Sequence, residues 1–268
     1  MTTELESTKI SMPAPKVTKY DFFNIKLDIT GQEEVFRQCK HFLNSNRPNT
    51  IFFLNAHCFN QSQINKEYRN AINQSDLLLN DGIGIKLASL LAGVNIGENL
   101  NGTDLIPKIL ALAGRENKKV FFLGGIEGVA EKAASRTRKL IPGIRISGCR
   151  SGYFKDEDTE GIIKHIDNSG ADILVLGMGV PKQELWAYEN QKKLKNIKII
   201  IAGGAILDFI SGRAKRAPLW MRKIHMEWLY RLYREPGRMW KRYIIGNIIF
   251  FVHLFRIKYL LPKNNQAS

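Results

Sequence analysis

Short apolar runs, rich in β-branched and aromatic residues, alternate with longer segments of helical periodicity over most of the chain. This alternation is typical of a parallel sheet whose strands are joined by crossover helices, so the predicted fold class is α/β with a mostly parallel sheet. A further strand is predicted at residues 22–27, and Thr30-Gly-Gln-Glu33 is interpreted as a capping box that opens the first helix. The predicted sheet strands are residues 50–54, 77–79, 119–123, 144–148, 173–176 and 198–202.

The pattern changes after residue 205, where strand periodicity is lost and the chain becomes helical, aromatic and basic. Pro218 and Pro236 are predicted to start helices. Residues 243–255 are strongly apolar but shorter than the roughly 20 residues that span a bilayer. Aromatic residues mixed with Arg and Lys favour a helix lying at a membrane surface, and the alternative is a helix that completes the core or an oligomer contact. We therefore predict a loose leader at 1–19, a core at 20–205 and an appendage at 206–268.

Composition and charge narrow the class of protein. The chain has 268 residues, of which 44% are hydrophobic and 24% are charged, as in ordinary globular proteins. The formal net charge of +15 indicates an anionic partner, either nucleic acid, phosphorylated substrates or an acidic membrane surface. Cys39, Cys58 and Cys149 have no regular spacing, which argues against a disulfide framework. With no apolar segment of a signal peptide at the N-terminus, a cytoplasmic location is predicted.

Glycines follow several of the predicted strands. Ligands of open α/β sheets bind at the carboxyl ends of the strands, where small residues let backbone amides approach phosphate oxygens. A tight strand-to-helix turn is the alternative interpretation of each glycine pair. The dinucleotide-binding and Walker A fingerprints are both absent, which argues against a dehydrogenase or a P-loop enzyme. The glycines predicted to line a nucleotide pocket are Gly124, Gly125, Gly177, Gly179, Gly203 and Gly204.

Asp81 ends an apolar run and directly precedes a helical segment. A carboxylate at this rim, shielded by apolar neighbours, is suited to act as a general base, and capping the next helix is an equally weighted alternative. Other polar residues near strand or helix ends are predicted to orient sugar hydroxyls, although Asp104 is also suited to the first turn of a helix. These candidates are Asn55, Asn101, Thr103, Asp104 and Gln183.

No metal site and no cofactor are predicted. His57 and Cys58 are adjacent, but no second pair lies at the spacing of zinc ligands, so His57 is interpreted as structural or peripheral. Asp156-Glu-Asp158 is interpreted as the acidic first turn of a helix instead of a metal-binding triplet. A reaction without a metal needs protein cations to neutralise a diphosphate, and the arginine-rich tail contains them.

Seven blocks of sequence stand in order along the chain: LNDGIGIKLAS (79–89), NGTDLIP (101–107), VFFLGGIEGVAEKAA (120–134), GYF (152–154), ADILVLGMGVPKQELW (171–186), IAGGAILDFISGRAKRAPLWMRK (201–223) and MEWLYRLYREPGRMWKRY (226–243). Together these blocks resemble the WecG/TagA/CpsF glycosyltransferase family. The resemblance implies an inverting enzyme with a Rossmann-like core and a mobile appendage. Such an enzyme moves a sugar, typically N-acetylmannosamine, from a UDP-sugar donor to a polyprenyl-diphosphate-linked sugar acceptor at the inner face of the cell membrane.

The resemblance also implies roles for individual residues. Asp81 matches the proposed general base, Asn55 the asparagine of an early strand-end motif, and Gln183 the glutamine of the PKQE block. Two positions depart from the family pattern, because Phe53 stands where many members have Thr and Asn99 where many have Arg. The cations predicted to hold the UDP diphosphate are Arg231 and Arg238, joined by Lys241 or Arg242.

Two other function classes remain open from the residues. A basic nucleic-acid-binding protein would use the C-terminal helices on phosphates, but the aromatic residues there lie in an apolar stretch and do not indicate an exposed binding groove. No nucleic-acid partner is therefore expected. A non-catalytic, membrane-associated scaffold is the second rival. The apolar tail also favours a homo-oligomer when the chain is away from an anionic membrane.

Overall fold

The computed structural model describes residues 17–224 and 226–259, and of Arg238 only the backbone. Residues 1–16 of the predicted leader lie outside the described residues, as do residues 260–268 of the predicted appendage. Thr18 and Lys19 belong to the first strand, so the predicted leader extends two residues too far.

The chain begins with an antiparallel hairpin of β1 (Thr18–Asp21) and β2 (Lys26–Ile29). The predicted strand at 22–27 is therefore wrong in most of its length, because Phe22 and Ile25 bond to each other through both backbone amides in a turn. Both side chains are fully buried, which explains why a turn has the apolar composition of a strand. Asp28 accepts a hydrogen bond from the backbone of Leu78 at 2.7 Å, which attaches the hairpin to an edge of the main sheet.

A six-stranded parallel sheet forms the centre of the molecule, with the strand order β4-β3-β8-β7-β5-β6. Every predicted sheet strand is confirmed, as is the α/β class with its parallel sheet. The carboxyl ends of parallel strands lie at one edge, where ligands of such folds bind. The strands are β3 (Asn49–Leu54), β4 (Leu77–Asn80), β5 (Lys119–Gly124), β6 (Arg145–Arg150), β7 (Ile173–Gly177) and β8 (Ile199–Ala202).

Helices cover both faces of the sheet, which is why its strands are continuous apolar runs. Alternate residues of β3 serve different faces, since Phe52 and Leu54 belong to one core cluster whereas Ile51 and Phe53 belong to the other. The helices of this part are α1 (Gln32–Leu43), α2 (Ala56–Ile64), α3 (Lys66–Asn73), α4 (Ile83–Leu91), α5 (Gly102–Arg115), α6 (Val129–Leu140), α7 (Thr159–Asn168), α8 (Lys182–Asn190) and α9 (Ile206–Ser211).

Two helix starts test the sequence interpretation. The predicted capping box is wrong, because Gly31 is the N-cap of α1 and the backbone of Gln32 donates to Glu98 Oε2 at 3.0 Å. Glu98, which is distant in sequence, thus accepts a hydrogen bond from a free backbone amide at the start of α1, the role that was predicted for Thr30. The acidic triplet Asp156–Asp158 forms a 3₁₀ turn that leads into α7, as predicted.

The appendage consists of short helices followed by one longer helix. Pro218 immediately precedes the first of them and Pro236 begins the third, which confirms both predicted starts. The segments are α10 (Leu219–Lys223), α11 (Glu227–Arg234), α12 (Pro236–Trp240), a π-helical segment (Lys241–Ile245) and α13 (Gly246–Tyr259).

Helix α13 packs against α2 on the core. The ring of Phe250 is buried, with its centroid 5.2 Å from that of Phe59, and Asn60 Nδ2 donates to the carbonyl of Gly246 at 2.7 Å. One face of the apolar tail therefore completes the core, while Ile248 and Val252 are exposed on the other. Within residues 17–224 and 226–259, none of the helices combines the length and apolar character needed to cross a bilayer.

Candidate active site

Two adjoining cavities open at the carboxyl edge of the parallel sheet, against the helices of the appendage. The appendage-side cavity, of about 560 Å³, is lined by the segments after β3 and β4 and by residues of α11 and α13. The glycine-side cavity, of about 470 Å³, is lined by the turns after β5, β7 and β8. The residues that line both cavities are Asn55, His57, Asp81, Thr103, Phe209, Arg231 and Arg242.

Asp81 lies at this junction, directly after β4. Its backbone donates to the carbonyl of Leu54 at 2.8 Å, and its Oδ2 accepts from Asn55 Nδ2 at 3.2 Å. Asn55 in turn caps α2, because its Oδ1 accepts from the backbone of Cys58 at 3.1 Å. Because the amide oxygen of Asn55 accepts the capping hydrogen bond, its amide nitrogen faces the carboxylate of Asp81.

The electrostatic surroundings of Asp81 act in two directions. Burial raises the pKa of its carboxyl group, whereas the Asn55 hydrogen bond and the charges of Arg242 and Arg231 lower it. Gly82 is the N-cap of α4 and no side chain caps that helix, so the alternative role of Asp81 as a helix cap is wrong. Asp81 lines both cavities, and its carboxylate is suited to accept a proton there.

Asn99 supports the turn that carries Asp81. Its Oδ1 accepts from the backbone of Gly82 at 2.7 Å, and Gly82 has a φ of 104°, in the region that favours glycine. An arginine at this position has no acceptor and would not form this bond. The departure from the family pattern at Asn99 is therefore accompanied by a specific local contact.

Two arginines of the appendage reach the junction. The guanidinium carbon of Arg231 lies 5.2 Å from the centroid of the Phe209 ring, and the charge of Arg242 acts on both Asp81 and His57. Lys241 is exposed, with its Nζ 5.9 Å from the ring of Trp240, and lines neither cavity. Of the two predicted alternatives for a third cation, the structure thus brings Arg242 to the site and not Lys241.

The Arg238 side chain lies outside the described part of the chain, so its predicted contact with a diphosphate stays a prediction. Its backbone belongs to α12.

His57 was missed by the sequence interpretation as a residue of the site. It lines both cavities, and burial, with a smaller contribution from the charge of Arg242, lowers its pKa to about 4. The imidazole is therefore neutral near pH 7 and offers one hydrogen-bond donor and one acceptor. The position of His57, two residues after the candidate Asn55, was the signal in the sequence that could have indicated that it lines the cavities. Among the described residues, no group of three His, Cys, Asp or Glu side chains has an arrangement that would hold a metal ion.

Asn101 and Asp104 are hydrogen-bonded to each other, and both line the appendage-side cavity. Asn101 caps α5, and its Nδ2 donates to Asp104 Oδ2 at 2.8 Å. The other carboxylate oxygen of Asp104 accepts from Arg216, which also pairs with Glu227 of α11 through bonds of 3.1 and 2.9 Å. Burial tends to raise the pKa of Asp104, but the bonds from Arg216 and Asn101 lower it. These residues tie the appendage to the core, and Thr103 lies beside them on both cavities.

Gln183 is buried, and both ends of its amide bond to protein. Its Oε1 accepts from the backbone of Gly204 at 2.9 Å, and its Nε2 donates to Glu184 Oε1 at 2.7 Å. Gln183 therefore holds the turn after β8 in addition to lining the glycine-side cavity. Glu184 Oε2 is buried without a hydrogen-bond partner among the described residues.

Glu184 should make stability depend on pH. Burial raises its pKa from an ordinary 4.5 to about 7. The folded chain thus binds a proton that the unfolded chain has lost, and the free energy of unfolding falls as the pH rises through this interval. Glu184→Gln cannot ionise, so the wild type should lose about 2.5 kcal/mol relative to the variant between pH 5 and pH 8.

Urea unfolding at both pH values measures this difference. Glu189→Gln is the matched control, because Glu189 is an exposed carboxylate on the same helix. It should follow the wild type, and equal pH dependence in all three proteins would contradict the prediction.

The predicted pocket glycines divide into two groups. Gly125, Gly177, Gly179, Gly203 and Gly204 line the glycine-side cavity. Gly124 does not line it. A Cβ at Gly124 would lie 2.5 Å from the backbone of Gly177, so this glycine allows the close approach of β5 and β7.

Comparison with known proteins identifies the family. Residues 20–264 match the glycosyl transferase WecG/TagA/CpsF family. A protein of Bacillus spizizenii, named N-acetylglucosaminyldiphosphoundecaprenol N-acetyl-beta-D-mannosaminyltransferase, is 31% identical over 201 residues, which cover 75% of this chain and 77% of that protein. Proteins of the same name from Bacillus subtilis and Staphylococcus aureus are 30% and 29% identical, covering 75% and 91% of this chain and 83% and 95% of their own lengths.

The match includes the parallel sheet, both cavities and the arginines of the appendage. The resemblance noted in the sequence is thereby confirmed. The chain belongs to the WecG/TagA/CpsF family and is a glycosyltransferase.

Proposed function

We propose that this enzyme transfers an N-acetylhexosamine of the N-acetylmannosamine type, or a related hexose, from a UDP-sugar to a polyprenyl-diphosphate-linked sugar. The names of the relatives support the acceptor class and the transferred sugar. The observation that carries the proposal is the position of Asp81 at the junction of two cavities, with Arg231 and Arg242 at the same junction. A base and two cations are the groups that an inverting transfer from a nucleotide diphosphate requires.

The glycine-side cavity suits the donor. Its wall consists of strand-end turns whose small residues leave backbone amides accessible to phosphate oxygens. The positively charged side chains of Arg213, Arg231 and Arg242 line the same space and complement a diphosphate. The acceptor sugar then occupies the appendage-side cavity, on the other side of Asp81.

In the proposed reaction, Asp81 removes the proton from a hydroxyl of the acceptor sugar. The hydroxyl oxygen attacks the anomeric carbon as the bond from that carbon to the UDP oxygen breaks on the opposite face, which inverts the configuration. UDP leaves with the bonding electron pair, and Arg231 and Arg242 stabilise its growing negative charge. Protein cations take this role in the proposal, so the reaction is metal-independent.

The proposed location is the inner face of the cell membrane, where a polyprenyl-linked acceptor and a UDP-sugar meet. The net charge of +15, concentrated towards the C-terminus, favours an anionic lipid surface over a neutral one. The exposed aromatic side chains of Trp220, Tyr233 and Trp240 suit the headgroup region. The enzyme is therefore proposed to be a peripheral membrane protein of polysaccharide or teichoic acid synthesis.

A substrate panel tests this proposal. The purified protein is incubated with several UDP-sugars and a synthetic polyprenyl-diphosphate N-acetylglucosamine, and the products are identified by mass spectrometry. We expect one disaccharide product, formed equally well with and without EDTA. Loss of activity with EDTA would overturn the metal-independent mechanism, and no disaccharide from any donor would overturn the proposed function.

A further inference from the structure

Helix α4 of the core carries an unusual row of exposed leucines. Leu87, Leu90 and Leu91 are 46%, 56% and 59% exposed, and their spacing places them on one face of the helix. Leu87 also lines the appendage-side cavity. The leucine row thus begins at the cavity that contains Asp81 and continues away from it over the surface.

Helix α13 of the appendage runs alongside α4. A Cβ at Gly84 would lie 3.8 Å from the Phe250 ring, and Lys258 Nζ donates to the carbonyl of Leu91 at 2.7 Å. The contacts are seven residues apart on α4 and eight apart on α13, roughly 10–12 Å on each helix at 1.5 Å per residue. The two helices therefore extend in the same direction from the cavity.

The face of α13 beside the leucine row is also apolar. Phe251 lines the cavity together with Leu87, and Phe255 follows one helical turn later, towards Lys258. Phe251 and Phe255 are 46% and 59% exposed. The two helices thus present an apolar track, defined by Leu87, Leu90 and Leu91 on α4 and by Phe251 and Phe255 on α13, which ends at the cation of Lys258.

The cavity at the start of the track has a separate cation. Arg222 lines only the appendage-side cavity, its guanidinium lies 3.6 Å from Asp104 Oδ1, and its buried Nε has no hydrogen-bond partner among the described residues. A guanidinium in the wall of a cavity complements a phosphate group. The site thus combines a carboxylate, a cation and an apolar track in one continuous space.

We propose that this track between α4 and α13 binds the first isoprene units of the lipid acceptor and leads the chain from the bilayer to Asp81. The inference rests on the proposed function. A polyprenyl diphosphate sugar has a polar head joined to an apolar chain, and only an apolar path that starts at the catalytic cavity removes that chain from water while the sugar reacts. Covering the track also explains why a core helix keeps three leucines exposed.

The test varies the acceptor chain and the track together. Leu90→Gln/Leu91→Gln alters exposed positions that line neither cavity, so the fold and the junction at Asp81 should be unaffected. The probes are N-acetylglucosamine diphosphate on an undecaprenyl chain and the same head group on a two-isoprene chain, with UDP-N-acetylmannosamine as the donor. Leu140→Gln is the matched control, because Leu140 is 70% exposed on α6 and lines neither cavity.

We expect the double variant to raise KM for the undecaprenyl acceptor by roughly 10-fold or more, the scale on which an apolar contact contributes to discrimination. Its KM for the donor and for the short-chain acceptor should stay within about twofold of the wild type, and Leu140→Gln should match the wild type throughout. Unchanged KM for the long-chain acceptor would overturn the inference, even if the double variant formed fewer oligomers than the wild type. Equal losses with both acceptors, accompanied by loss of vesicle binding, would assign the leucines to general membrane docking and would also overturn it. An inactive wild type would instead refute the proposed function.

Discussion

Asp81→Asn is expected to lower kcat by about 10²- to 10⁴-fold, the usual contribution of a general base. The amide is isosteric with the carboxylate and keeps a hydrogen-bonding partner for Asn55, so the turn after β4 should be preserved. It cannot take the proton from the acceptor hydroxyl. The loss should therefore fall on kcat, with UDP affinity not reduced, because a carboxylate repels a diphosphate and its removal cannot weaken that binding.

Steady-state rates, calorimetric titration with UDP and thermal unfolding measure the three quantities separately. Asp156→Asn is the control, because it makes the same change of carboxylate to amide at an exposed residue that lines neither cavity. Its kcat should fall far less. A turnover of Asp81→Asn within tenfold of the wild type would remove Asp81 from the role of base.

Arg242→Ala is expected to lower kcat by about 10²- to 10³-fold, as does removal of one group that stabilises developing negative charge. Arg242→Ala should also shift the acid limb of the pH–rate profile. The positive charge of Arg242 lowers the pKa of Asp81, so without it the carboxyl stays protonated to higher pH and the limb shifts upward. The pKa of His57 should rise as well, because the same charge lowers it.

The adjacent residue provides the control for this second prediction. Lys241→Ala removes one positive charge from the same segment, but Lys241 is exposed and lines neither cavity. Its rate and pH profile should match those of the wild type, apart from a small loss of vesicle binding. Equal losses of kcat in both variants would show that the appendage contributes only diffuse charge. NMR titration of the histidines and pH–rate profiles make the distinction.

Both predictions depend on the appendage being in place over the core. Arg216 connects Asp104 of α5 with Glu227 of α11, while Phe250 and Asn60 attach α13 to α2. Arg231 and Arg242 belong to the segments held by these contacts. The appendage that brings these cations to the junction also exposes apolar side chains on α13, so the proposed lipid contact and the candidate active site share one part of the chain.

The sheet was predictable because parallel strands are buried on both faces. Each strand then reads as a continuous apolar run, and the six runs found in the sequence are the six strands of the sheet. Burial alone does not distinguish a strand from other buried backbone, however. Phe22 and Ile25 are as buried as strand residues but form the turn of the hairpin, so the strand predicted there was wrong.

The position of Asp81 after an apolar run, together with the family blocks, was enough to place a carboxylate at the functional edge. Which groups surround it was decided only by contacts between residues far apart in the chain. Asn55 meets Asp81 across 26 positions, and Gln183 meets Gly204 across 21. No local pattern predicts such pairs.

The sequence by itself therefore determined the strands, the helix starts at Pro218 and Pro236, and the edge of the sheet at which the candidate active site lies. The tertiary structure decided that Arg242 and not its neighbour Lys241 faces Asp81, that His57 belongs to the site, and that the leucines of α4 lie beside α13. The physical reason is that periodicity and propensity act over a few residues, whereas the direction of a side chain on a helix depends on which face packs against the core.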